Sequence, residues 1–170
     1  IDNSGWYIEK LSPPSQCLEN KAQEIILQTS AKAEIIQITQ SDDSWLSKLR
    51  SLQAGTMALI SGPVLLARDM AHARLLRMLE SDKKLPDWFI GLPVFYAGPT
   101  EAKQGAKTGA FGPTSASRMD SYLEAFMKAG ASIVTIAKGS RSDEARRAIA
   151  THRGVYCAAI GGVAALNAER

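Results

Sequence analysis

Short apolar runs alternate with helical apolar patterns along the chain from about Thr56 onward. A short apolar run between turn signals is typical of a buried strand, and apolar residues repeated every three to four positions indicate a helix. The runs predict strands at Met57–Ile60, Val64–Leu66, Pro93–Tyr96, Ile133–Ile136 and Val155–Ile160. The helical spacing predicts helices at Arg68–Ser81, at Met119–Met127 and from the cap Ser142 to Gly154, with a short last helix opening at Gly161.

The first 43 residues carry a weaker pattern. Gln23–Gln28 and Glu34–Thr39 alternate apolar and polar residues, which favours two short strands, and the SPPS sequence at 12–15 is a turn or linker signal. Ser44–Leu52 predicts a short helix that stops at Gly55.

Strand–helix alternation of this kind predicts an α/β fold in which helices cover a largely parallel sheet. Ligands of such sheets bind beyond the carboxyl ends of the strands. The polar residues that stand out follow predicted strands: Arg68 after the second, the Gly112–Ser115 segment after the third and Lys138 after the fourth. The sequence therefore predicts a ligand site at this edge of the sheet.

Composition and charge exclude several classes of protein. The chain has 170 residues with 20 Lys and Arg against 17 Asp and Glu, and its net charge of +3 is too small to indicate nucleic acid binding. There is no apolar run long enough for a membrane helix and no secretory signal pattern, so we expect a cytoplasmic protein. Because the chain starts at Ile1, we expect a processed chain or part of a longer gene product.

Cysteine and histidine are too few for a self-contained metal site. Cys17 and Cys157 lie far apart, which excludes a disulfide framework and an iron–sulfur cluster held by this chain alone. His72 and His152 by themselves cannot make a zinc site. The chemistry must use ordinary side chains, or a partner must supply what is missing.

The Gly112–Ser115 segment leads into a predicted helix. Thr114 or Ser115 can cap it, the first free backbone N–H groups form an anion site, and Arg118 lies one turn further on the same side. A guanidinium binds a carboxylate through two parallel hydrogen bonds. The alternative is an ordinary capped helix with a surface arginine.

Two more cations share this predicted edge. Arg68 opens a helix, where its charge opposes the helix dipole unless an anion is bound, and His72 lies one turn later. The alternatives are an Arg68 paired with Asp69 or Glu80, a partly buried structural His72 and a solvated Lys138. Taken together, Arg68, Arg118, Lys138 and the hydroxyls of Thr114 and Ser115 suit a small dianion such as a dicarboxylate, although no strong acid–base pair accompanies them.

Eight segments of the chain form a known pattern in this order: Leu52–Gly55, Leu59–Gly62, Ala67–Arg74, Leu85-Pro86, Tyr96–Pro99, Gly112–Asp120, Ala137–Arg141 and Gly161-Gly162. From about Ser44 to Leu166 the sequence resembles the class I (iron–sulfur) fumarase family, specifically its β subunit or C-terminal domain. The L(+)-tartrate dehydratase β subunits share the pattern. The resemblance then implies that residues 44–170 are a fumarase C-terminal (β-type) domain and that residues 1–43 are an N-terminal linker or extension with short strands.

The resemblance implies a swivelling β/β/α domain of a hydro-lyase that reversibly adds water to fumarate to give malate. It also implies a partner, the α subunit or N-terminal domain, whose cysteines hold a four-iron, four-sulfur cluster with an open iron as Lewis acid. This chain would bind no cofactor itself, would be inactive alone and would belong to a dimer of the assembled enzyme.

Carried over residue by residue, the resemblance makes Arg68, Arg118 and Lys138 the ligands of the substrate carboxylates. Thr114 becomes a candidate for moving a proton and Ser115 a further donor, with Asp69 and His72 in possible supporting roles. The family usually has a second threonine where this chain has Ser115, so a hydroxyl is kept. Two alternatives stay open: a tartrate dehydratase β subunit, and a noncatalytic module that binds dicarboxylates.

Overall fold

The computed structural model describes residues 33–102, 104–105 and 109–164. The predicted turn at 12–15, the predicted strand at Gln23–Gln28 and the last helix beyond residue 164 lie outside the described residues. The chain divides into two compact units, residues 1–36 with 53–60 and residues 37–52 with 61–170. The predicted division between residues 43 and 44 stays a prediction.

The first unit contains most of a two-stranded sheet, formed by β1 (Glu34–Gln37) and β2 (Ala58–Ser61). The Glu34 N–H donates to the Met57 carbonyl at 2.9 Å, and Ile36 is buried. The alternating pattern thus produces the strand predicted at Glu34–Thr39, which the structure ends at Gln37.

The second unit contains a four-stranded sheet in which every neighbouring pair of strands is parallel. Its strands, in spatial and chain order, are β3 (Leu65–Leu66), β4 (Val94–Phe95), β5 (Val134–Ala137) and β6 (Val155–Ala158). The α-helices of this unit are α1 (Ser44–Ser51), α2 (Asp69–Asp82), α3 (Asp120–Lys128) and α4 (Asp143–Thr151), and short 3-10 helices cover Asp87–Phe89 and Ala116–Met119.

Helices α2, α3 and α4 connect successive strands of the sheet. Because α2 contacts α3 and α3 contacts α4, the three crossovers form one layer on the same face, as right-handed parallel connections require. The core lies between this layer and the sheet, where Val94, Tyr96, Phe89, Met119 and Phe126 are fully buried. All carboxyl ends of the strands therefore meet at one edge of the sheet.

The α/β class is confirmed, and the helices lie where the apolar spacing predicts them. Ser142 caps α4, since its Oγ accepts a hydrogen bond from the Ala145 N–H at 3.2 Å. β3 and β4 are only two residues long, shorter than their apolar runs. The 3-10 helix at Asp87–Phe89 is an element that the apolar pattern does not predict.

In the part of the chain that the structure describes, no helix is both long and apolar enough to cross a membrane.

Candidate functional site

A cleft of about 400 Å³ opens at the carboxyl edge of the parallel sheet. Its volume lies in the range of small-molecule sites. All five residues predicted to bind substrate line it: Arg68, Thr114, Ser115, Arg118 and Lys138. Backbone of small residues, including Gly98, Gly112 and Gly162, forms much of the remaining wall.

The segment 114–116 lies between the ends of β4 and β5. The Thr114 N–H donates to the Tyr96 carbonyl at 2.7 Å, and the Thr114 carbonyl accepts from the Lys138 N–H at 3.1 Å. The Ala116 N–H then donates to the Lys138 carbonyl at 2.8 Å. Strand-like pairing thus extends the sheet by one short segment and brings Thr114, Ser115 and Lys138 to the same edge.

The structure corrects the prediction that Thr114 or Ser115 caps a helix. Ser115 precedes a 3-10 turn and its side chain makes no capping hydrogen bond. The amides of Thr114 and Ala116 are bound to carbonyls of neighbouring segments, so they are not available to an anion. The two side chains that this segment places on the cleft wall differ in exposure, with Thr114 buried and Ser115 exposed.

Arg68 precedes the first turn of α2, where the sequence predicts it. Its guanidinium lies so close to Gly98 that a Cβ atom at residue 98 would overlap the Arg68 Nε. The anticipated alternative, a pair with Asp69 or Glu80, is not formed: among the described residues, no carboxylate lies within 4 Å of the Arg68 guanidinium. Arg68 is therefore a cation of the cleft whose charge is not compensated locally.

Arg118 forms a two-point ion pair with Asp69. Its Nε donates to Oδ1 at 3.0 Å and its Nη2 donates to Oδ2 at 2.7 Å. The two side chains are 53% and 38% exposed, so the pair contributes little to stability but fixes the plane of the guanidinium. The remaining edge of this guanidinium is free to hold a second carboxylate.

Lys138 directly follows β5 and is exposed. With Arg68 and Arg118 it gives the cleft wall three cations, and Asp69 compensates one of them. The group as a whole retains two positive charges. This excess matches the charge of a dicarboxylate dianion.

His72 does not line the cleft, and its possible supporting role stays a prediction. It is 1% exposed, and its ring contacts those of Tyr96, Tyr122 and Phe126 at centroid distances of 5.0, 5.5 and 5.6 Å. Neither ring nitrogen has a hydrogen-bond partner in the described part of the chain. Burial lowers the pKa of His72 from 6.5 to about 4, so the imidazole is neutral at pH 7.

A second arginine–aspartate pair lies beneath the cleft wall. The Arg141 side chain is 2% exposed and its Nη1 donates to the Asp120 Oδ1 at 2.6 Å. Both residues belong to the motifs described above, but the sequence assigns them no role. It does not show that a charged side chain at either position is buried. The rings of Tyr96 and Tyr156 cover the guanidinium.

No group of three or more His, Cys, Asp or Glu side chains in residues 33–102, 104–105 and 109–164 could hold a metal ion. Cys157 is half-buried in β6, and burial raises the pKa of its thiol to about 11, so it is a poor source of the thiolate that an iron–sulfur cluster needs. Cys17 lies outside the described residues. The described side chains therefore do not fit a cluster site.

Comparisons with known proteins agree on one family. The model of the fumarase C-terminus family matches residues 5–170. Fumarate hydratase 2 of Leishmania major is 37% identical over 170 residues, which cover 99% of this chain and 29% of that protein. The anaerobic class I fumarate hydratase of Escherichia coli (strain K12) is 33% identical over 171 residues, which cover 100% of this chain and 31% of that protein.

A shorter relative is also similar. The putative L(+)-tartrate dehydratase subunit beta of Methanocaldococcus jannaschii is 32% identical over 123 residues, which cover 71% of this chain and 63% of that protein. The chain thus spans about 30% of the length of the two fumarate hydratases and matches a separate subunit as well.

Proposed function

Because the chain belongs to the fumarase C-terminus family, we propose that it is the β-type domain of a class I hydro-lyase that reversibly hydrates fumarate to malate. The domain binds the two carboxylates of the substrate. An N-terminal domain or α subunit holds the four-iron, four-sulfur cluster that supplies the Lewis acid. The chain is inactive without that partner, and the assembled enzyme is a dimer.

The observation that carries this proposal is the charge of the cleft. Arg68, Arg118 and Lys138 come from three different strand ends, yet all line one volume of about 400 Å³, and only Arg118 has a carboxylate partner among the described residues. Three cations collected in one cleft repel each other, so the arrangement is favourable only when an anion is bound. A dicarboxylate removes the excess of two charges.

The arginines bind carboxylate groups with defined geometry. Each charge-assisted hydrogen bond contributes about 1.5–3 kcal/mol, so two held carboxylates give micromolar to millimolar affinity. Asp69 orients the Arg118 guanidinium, which leaves one of its edges for the substrate. Lys138 adds a third positive charge, and its flexible side chain adjusts to the carboxylate that the arginines position.

Thr114 is the candidate for moving a proton. Hydration adds a proton to one alkene carbon and hydroxide to the other, so one protein group must deliver or remove the proton at carbon. Thr114 is a largely buried residue on the cleft wall, and its backbone is hydrogen-bonded to Tyr96 and Lys138. A threonine hydroxyl is a weak base, so it relays the proton to a carboxylate that the partner supplies. Ser115 donates a further hydrogen bond to the substrate.

Replacing Arg118 by Ala in the assembled, cluster-loaded enzyme tests the site. We expect kcat/KM for fumarate to fall at least ~100-fold, since removing one partner of a clamped ion costs about 3 kcal/mol or more. The exposed Arg118–Asp69 pair contributes little to folding, so the melting temperature should stay close to wild type. Arg147→Ala, which removes an equal charge from an exposed pair with Glu144 on α4, is the matched control and should retain activity.

Near-normal activity of Arg118→Ala would contradict the assignment of the site.

The match to a putative L(+)-tartrate dehydratase subunit beta supports a second candidate, dehydration of tartrate in the same cleft. Calorimetric titration of the chain with fumarate, malate and tartrate at low salt ranks the candidates. Dicarboxylate binding combined with an assembled complex that converts none of the three would favour the noncatalytic module.

A further inference from the structure

The buried Arg141 side chain contacts three of the chain segments that carry cleft residues. Its Nη1 donates to the Ala116 carbonyl at 3.2 Å and to the Asp120 Oδ1 at 2.6 Å. Its Nη2 donates to the Thr135 Oγ1 at 2.7 Å and to the Tyr96 hydroxyl at 3.2 Å. One guanidinium thus binds the residue that follows β4, a residue within β5 and the segment that lies between the two strand ends.

Each contact lies within a few residues of the cleft. Ala116 lies between Ser115 and Arg118 in the chain, and Arg141 itself follows Lys138 by three residues. Asp120 follows Arg118 by two residues and accepts a second hydrogen bond, from the Ser142 N–H at 2.7 Å. The 3-10 turn that carries Arg118 is therefore held at its first residue by Arg141 and just after its last residue by the Arg141–Asp120 pair.

A buried pair such as Arg141 and Asp120 stabilises a core poorly. Two charges that are removed from water lose hydration, and a well-packed apolar pair of the same volume is often as stable or more so. A guanidinium offers what an aliphatic side chain lacks, several directed hydrogen bonds in one plane. The rings of Tyr96 and Tyr156, whose centroids lie 5.0 and 4.8 Å from the guanidinium carbon, hold that plane in place.

We propose that Arg141 and Asp120 are positioning residues, which hold Ser115, Arg118 and Lys138 in the arrangement that binds the substrate. This proposal rests on the proposed function. Arg141 does not line the cleft, and Asp120 compensates its charge, so it acts through geometry rather than by attracting the substrate. Loss of the pair should let the turn at Ala116–Met119 shift relative to Lys138 while the sheet and helices remain.

The test compares Arg141→Lys and Asp120→Asn in the assembled, cluster-loaded enzyme, with KM, kcat and melting temperature measured for each. Lysine keeps the charge, but its three donors lie on one nitrogen and cannot bind the four acceptors that two guanidinium nitrogens bind in Arg141. We expect KM for fumarate to rise about 10- to 100-fold in each variant, the range for misplaced binding groups, with a smaller change in kcat. The double variant should be little worse than either single one, because both remove the same linkage.

Ile149→Ala is the matched control for a loss of stability alone. Ile149 packs against the cluster between α3 and α4, away from the cleft wall. This variant should lower the melting temperature to a similar extent and leave KM unchanged. Thr135→Val, which removes one partner of Arg141 and preserves its shape, should raise KM by a smaller factor than Arg141→Lys.

An Arg141→Lys enzyme whose KM stays within about twofold of wild type while its melting temperature falls as in Ile149→Ala would overturn the positioning role. Should Arg141→Lys fail to assemble, Thr135→Val decides: a raised KM supports the proposal and an unchanged KM overturns it. Arg118→Ala distinguishes a failure of the proposed function from a failure of the positioning role alone. If it has no effect, the proposed function fails, whereas an effect of Arg118→Ala without one of Arg141→Lys refutes only the positioning role.

Discussion

Gly98 controls where the Arg68 guanidinium lies, and one added methyl group tests this. A Cβ atom at residue 98 would overlap the Arg68 Nε and would lie 2.9 Å from its Cζ and 3.0 Å from its Cδ. Carbon atoms in contact are normally about 3.5–4.0 Å apart, so the guanidinium must move by about 1 Å in Gly98→Ala. The backbone of Gly98 is outside the left-handed region, so alanine introduces no backbone strain.

The cost of this displacement falls on binding rather than on folding. The Arg68 side chain is exposed, so its far end can move aside without disturbing the core. If Arg68 holds a substrate carboxylate as proposed, that carboxylate loses a charge-assisted contact of about 1.5–3 kcal/mol, and we expect a roughly 10- to 100-fold rise in KM for fumarate. The melting temperature of the variant should be unchanged.

The assay is steady-state kinetics of the assembled, cluster-loaded enzyme, with thermal denaturation in parallel. Gly161→Ala is a matched control beside the other uncompensated cation, because a Cβ atom there would lie 3.6 Å from the Lys138 Cδ, an ordinary contact. It should leave KM within about twofold of wild type. A Gly98→Ala enzyme with the same KM as Gly161→Ala would refute the assignment of Arg68 to substrate binding at this position.

Two further predictions concern stability. His72 has a folded-state pKa of about 4 against 6.5 in the unfolded chain, so the unfolded state binds more protons between these values and stability falls as the pH drops. When the pH is lowered from 7 to 5, the free energy of unfolding of the wild type should fall by about 2 kcal/mol more than that of His72→Phe. Urea titrations at the two pH values measure this, and equal decreases for both proteins would count against a neutral buried ring. Ser142→Ala removes the cap of α4 and should lower the free energy of unfolding by about 1 kcal/mol. Ser140→Ala, at an exposed position two residues earlier, is the control and should lower it little. Equal midpoints of urea unfolding for the two variants would argue against the cap.

The sequence predicts most of the fold because its elements follow local rules. Apolar runs locate β4, β5 and β6, helical spacing locates α2 and α3, and the Ser142 cap with Asp143 and Glu144 marks the start of α4. Their alternation along the chain is sufficient to predict a parallel sheet. Since strand ends of such a sheet lie at one edge, the convergence of Arg68, Thr114 and Lys138 also follows from order along the chain.

The parts that the sequence does not predict depend on contacts distant in the chain. Ser115 precedes a helical pattern, so local rules favour a cap, but the Thr114 and Ala116 amides instead bind Tyr96 and Lys138 in the extended sheet. His72 has the spacing of a helix residue near the cleft, yet the ring points into aromatic contacts. The sequence alone cannot tell whether a charged or polar residue beside a strand end faces the cleft or the core.

The two arginine–aspartate pairs show how the same chemistry serves the cleft in two ways. Arg141 and Asp120 are almost fully buried, so their charges compensate each other and the guanidinium's directed hydrogen bonds determine geometry. Arg118 and Asp69 are half-exposed and water weakens their attraction, so Asp69 orients Arg118 without consuming its capacity to bind another carboxylate. Arg68 and Lys138 lack such a partner within the described residues and keep their full charge. In the proposed function, the uncompensated positive charge of the cleft is the charge that binds a substrate dianion, and the buried charge that determines geometry is neutralised by its own partner.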